Sequence, residues 1–61
     1  MTKNETRELS NVAKYAAAGM IDTAARAVSA LYRSARTTKS QNEIMAFAVA
    51  NNLVSNSEFI V

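Results

Sequence analysis

The side chains with the most capacity for chemistry in this sequence are cations and amides, and they sit close together. Arg26, Arg33 and Arg36 fall on the face of a predicted helix opposite Val28, Leu31 and Ala35, and Lys39 follows directly. Between Asp22 and Glu43 the chain carries four positive charges and no negative one. Such a stripe neutralises phosphates or matches an acidic partner. Gln41 and Asn42 come next, and their amides have the geometry that pairs with adenine edges. Two helices joined by a short turn, the second offering its first residues to a major groove, is the arrangement of a helix-turn-helix. Arg36, Thr37, Thr38, Lys39 and Ser40 would then hold phosphates, helped by the free N–H groups of the helix start. Against this, the turn lacks the usual Gly and the following helix is apolar almost all round. The same residues also read as an ordinary interhelix turn with a solvated rim.

Catalysis has little to draw on. The 61 residues include no His and no Cys. That removes thiolate nucleophiles, disulfides, the commonest metal ligands and the side chain best suited to proton transfer at neutral pH. Glu5, Glu8, Asp22, Glu43 and Glu58 show no spacing that places two of them in one cleft. No Gly-rich phosphate loop or dinucleotide fingerprint is present. The expectation is a non-enzyme with no cofactor, no metal and no small-molecule substrate.

A second kind of chemistry is burial. Ile44, Met45, Ala46, Phe47, Ala48, Val49 and Ala50 run for nearly two helical turns without a polar residue. A helix apolar on every side needs cover on every side. Either Leu53, Val54, Phe59 and Ile60 of the same chain supply it, or another subunit or protein does. Ile44, Met45, Phe47, Val49 and Phe59 are the candidate contacts of such an interface, since Met and aromatics are enriched there. The terminal Phe59-Ile60-Val61 completes a core or enters a partner groove.

The elements that must position these residues are helices. The chain has twelve Ala, one Gly and no Pro, and no strand-like alternation persists. Leu9, Val12, Ala13, Ala16, Ala17 and Met20 mark one apolar stripe, giving a helix over about 5–18 with Asn4 as N-cap. Gly19 suits a left-handed C′ position, with Met20 folding back as its apolar contact. Ile21, Ala24, Ala25, Val28, Leu31, Tyr32 and Ala35 mark a second helix over about 22–36, capped by Asp22. Ser40-Gln41-Asn42-Glu43 matches a capping box opening a third helix over about 41–51, with Asn52 as its left-handed C′ residue. Ser55-Asn56-Ser57-Glu58 repeats the box and predicts a short C-terminal turn.

The predicted fold is a single all-α domain, a small three-helix bundle. One alternative shares its apolar phase: Ala16, Met20, Ala24, Val28, Leu31 and Ala35 continue through Gly19, and a helix crossing one Gly loses only about 1 kcal/mol. A single helix over 5–36 with a second over 41–51 could bury itself only in a helical dimer.

The net charge is +2. Met1–Ser10 is too polar for a signal peptide, no apolar run approaches membrane-spanning length, and the lack of Cys fits a cytoplasmic setting. The functional expectation is a small helical protein-interaction or regulatory module, pairing with itself or another protein through segment 44–50 and the tail. The alternative is a nucleic-acid binder using Arg26, Arg33, Arg36, Lys39, Gln41 and Asn42.

Overall fold

A computed structural model describes residues 1–61. It contains three helices and no strand: α1 (Lys3–Ala17), α2 (Ile21–Ser34) and α3 (Thr38–Ala50). The three-helix reading holds, with each helix starting earlier than the sequence suggested and ending one or two residues sooner.

The starts differ because other residues do the capping. α1 is capped by Thr2 rather than Asn4. Its Oγ1 accepts from the Glu5 N–H at 3.1 Å, and the Thr2 N–H donates to the Glu5 carboxylate at 2.9 Å. That reciprocal pair is a capping box. The N-cap of α2 is Met20, whose side chain makes no capping bond. Asp22, the expected cap, lies inside the first turn instead. α3 is capped by Thr37, whose Oγ1 accepts from the Ser40 N–H at 3.0 Å. Ser40 is therefore the third helical residue and not the cap; it is buried and its hydroxyl is used elsewhere.

The ends follow the sequence closely. Gly19 has φ +81°. The Met20 N–H donates to the Tyr15 carbonyl at 2.9 Å and the Gly19 N–H to Ala16 at 3.1 Å. This is a Schellman closure. It separates α1 from α2, so the continuous helix over 5–36 does not form. Met20 does not fold back; it stays 48 % exposed. Asn52 repeats the device at the end of α3 with φ +58°. The Leu53 N–H reaches the Ala48 carbonyl at 2.9 Å and the Asn52 N–H reaches Val49 at 3.1 Å. Here the apolar contact is made, since Leu53 is fully buried.

The core is Val12, Ala24, Ala25, Val28, Leu31, Ile44, Ala48 and Leu53, with Leu9, Tyr32, Phe47 and Phe59 packed around it. Half of the buried apolar residues come from α2, which makes it the central element. Ala24 and Ala25, both fully buried, let the flanking helices approach closely. The tail turns at 54–55 and 57–58, as the predicted short C-terminal turn requires, and adds no fourth helix. Asn56 organises it: its side chain donates to Asp22 at 2.9 Å and accepts from the Glu58 N–H at 2.8 Å.

The radius of gyration is 10.2 Å, against about 10.5 Å expected for a compact domain of this length. The accessible surface is 3937 Å², against about 3,900 Å² for a monomer of this mass. Both values match a compact single chain of this size. No helix is long and apolar enough to cross a membrane.

Candidate functional site

The most constrained polar group in the molecule is the Glu5 carboxylate, one of the five whose spacing in the sequence points to no shared cleft. Glu5 is 6 % exposed. One oxygen accepts from the Thr2 N–H at 2.9 Å and from the Ser40 hydroxyl at 3.2 Å. The other accepts from the Arg36 N–H at 3.2 Å. The Thr37 hydroxyl donates to Ser40 at 3.1 Å, extending the chain of donors by one step. The Thr2 backbone N–H holds the Glu5 carboxyl below the ordinary carboxylate value. Burial opposes that shift, and the Arg36 N–H and Ser40 hydroxyl reinforce it. A single side chain thus ties the start of α1 to the α2–α3 corner. The Thr2-Lys3-Asn4-Glu5 spacing was the available signal, since it satisfies the capping-box pattern as fully as Ser40–Glu43 does.

This tie gathers cations. The carboxylate meets the chain at residues 2, 36 and 40, and each point carries or adjoins a positive charge: Lys3, Arg36 and Lys39. Arg33 sits in the last turn of α2, three residues before Arg36, which lies beyond the helix end. All four are exposed, and none forms an ion pair. Between α1 and α2 at this end lies an open cleft of about 430 Å³, lined by Thr2, Glu5, Glu8, Leu31, Ser34 and Arg36 among others.

The structure does not bring the rest of the expected basic site to that end. Arg26 is held by the tail: its Nε and Nη2 both donate to one Glu58 oxygen, at 3.0 and 2.7 Å. Gln41 is half-buried and donates its amide to the Tyr32 carbonyl at 3.3 Å. That donor serves the α2–α3 corner. Asn42 is exposed.

The apolar candidates separate in the same way. Ile44, expected at an interface, is fully buried in the core. Phe47 and Phe59 are half-buried against that core, and Met45 is also half-buried. Val49 is 55 % exposed. Asn42, Ala46, Val49 and Ala50 are all exposed and fall at i, i+4, i+7 and i+8. They form one outward face of α3 that nothing in the chain covers. Ile60 and Val61 project beyond Phe59 and remain more than half exposed.

No family model matches this chain, and no curated protein or solved structure is significantly similar to it.

Proposed function

We propose that this protein is a small, non-catalytic helical interaction module whose working surface is the outward face of α3. The observation that carries this reading is the exposed run Ala46, Val49 and Ala50, bordered by Asn42 on the same face. Alanines at that spacing let a second helix approach closely, and Val49 supplies a side chain to insert. Fully burying a side chain of that size contributes about 1.5–3 kcal/mol. Asn42 and the neighbouring Lys39 and Glu43 supply the polar rim that such contacts have.

The favoured partner is a second copy of the chain. Only 11 of 61 residues are buried, and association adds buried surface to a core of that size. Two α3 faces meeting about a two-fold axis would form a self-complementary contact. Sedimentation velocity over a wide concentration range tests the proposal. A reversible dimer is expected, and Val49→Asp should remain monomeric with an unchanged helical circular dichroism spectrum. A wild-type chain that stays monomeric throughout, or a variant that associates like the parent, overturns it.

A further inference from the structure

We infer that the end of the bundle built around Glu5 docks on the phosphate backbone of a duplex nucleic acid, using Lys3, Arg33, Arg36 and Lys39. The inference does not rest on the α3 contact. It replaces the basic surface expected from the sequence with a different one: Arg26 and Gln41 leave it, and Lys3 joins from the far end of the chain.

Glu5 sets the charge pattern of this end. Its carboxylate is turned inward and spends its lone pairs on Thr2, Arg36 and Ser40. The cations beside those three points are left facing water without a partner. Four of the seven cations in the chain thus lie at or beside one end, and Arg7, one turn after Lys3 on α1, donates to the Asn4 side chain. Besides Glu5, two carboxylates belong to this end: Glu8, which lines the cleft together with Arg36, and Glu43, one turn beyond Lys39. Neither forms an ion pair with a cation; Arg26–Glu58 is the one salt bridge in the molecule. The corner is also fixed before any ligand arrives. The Arg36 backbone and Ser40 side chain are both bonded to Glu5, so docking orders little more than the flexible side-chain ends.

The chemistry around the cations selects the partner. The other exposed polar residues there include Asn4, Thr37, Thr38 and Asn42. Hydroxyls and amides are the usual uncharged donors to phosphate oxygens. An acidic protein would call for an aromatic or aliphatic centre to the contact, and a lipid surface for apolar side chains to insert. Of the exposed large apolar residues, Met1 adjoins this end, whereas Met20, Ile21, Val49 and Val54 belong to the other half of the bundle. With the Gln41 amide donating to the Tyr32 carbonyl, little remains to read bases. Binding is therefore expected to be independent of sequence.

Fluorescence anisotropy with a labelled DNA duplex of mixed sequence, titrated at several salt concentrations, tests this. Four phosphate contacts predict a log–log salt slope of about −3.6, a roughly 100-fold weakening between 50 and 200 mM salt. Lys3→Gln, Arg36→Gln and Lys39→Gln should each make the slope shallower by about 1. None of them removes a donor to Glu5, because Arg36 contributes only its backbone N–H. Lys14→Gln and Arg26→Gln, away from this end, should leave the slope unchanged. An RNA duplex of the same length distinguishes the two sources of phosphodiester. The inference is overturned if neither duplex binds at the lowest salt, or if the three end variants bind like the parent. Equal loss in the two control variants, or tighter binding to vesicles containing phosphatidylserine than to either duplex, also overturns it.

Discussion

Glu5 is ionised more readily in the fold than in an extended chain, because three donors converge on its carboxylate. Its pKa is lowered on folding. The stability it contributes is therefore present above the ordinary carboxylate range and is lost as pH falls through its folded value. Glu5→Gln should be less stable than the parent at neutral pH, with the gap closing on the acid side. Urea midpoints measured across pH check this, and a gap independent of pH would count against it. Gly19 makes a different residue-scale prediction. A Cβ there meets nothing within 4 Å, so the cost of adding one is the left-handed backbone alone. Gly19→Ala should lose about 1–2 kcal/mol. Asn52, at φ +58°, already tolerates the same region, and Asn52→Gly should be neutral or slightly stabilising. Denaturant midpoints with unchanged m-values would verify both.

Among the elements, the tail shows how burial and polar contacts divide the work. Leu53 is fully buried and closes α3, whereas Arg26–Glu58 lies on the surface. Leu53→Ala should cost about 2–5 kcal/mol, and Arg26→Ala less than about 1 kcal/mol. Equal effects would show that the ion pair, not the leucine, anchors the tail. The first two helices were legible because the Val12 and Val28 stripes follow a helical period whatever the tertiary context, and the third because an unbroken apolar run follows a capping-box pattern. Their C-termini were legible because Gly19 and Asn52 are residues that take positive φ. The starts were not, because several hydroxyls compete at each. Ser40 makes a good cap on local grounds alone; the deciding fact is that its hydroxyl donates to a carboxylate 35 residues away. The basic end was hidden for the same reason. Lys3 and Lys39 are neighbours only through Glu5, and periodicity carries no information about that pairing. The exposed stripe on α3 was half legible: the apolar run announced it, but only packing decided that Ile44 turns in and Val49 turns out.

At the scale of the whole molecule, opposite halves of a small bundle carry different surfaces, cations at one end and exposed Met20, Ile21 and Val54 towards the other. The stability behind this is modest, about 3–9 kcal/mol for a chain of this length. Ile44, fully buried at the centre, is worth a large part of it. Ile44→Ala should remove about 2–5 kcal/mol, leaving a chain whose near-ultraviolet and helical signals are largely lost by physiological temperature. A variant that melts with the parent would mean that the core is larger than these eight residues.

The Glu5 bonds also have a place in time. Its bond to Thr2 lies within one helical turn, whereas those to Arg36 and Ser40 span 31 and 35 residues. Loops that long close late compared with a helix start, because their entropy must be overcome first. The same carboxylate should therefore act early as part of a nucleus for α1 and late as the latch that joins α1 to the α2–α3 corner. Replacing Thr2 would slow folding, whereas replacing Ser40 with Ala would chiefly hasten unfolding.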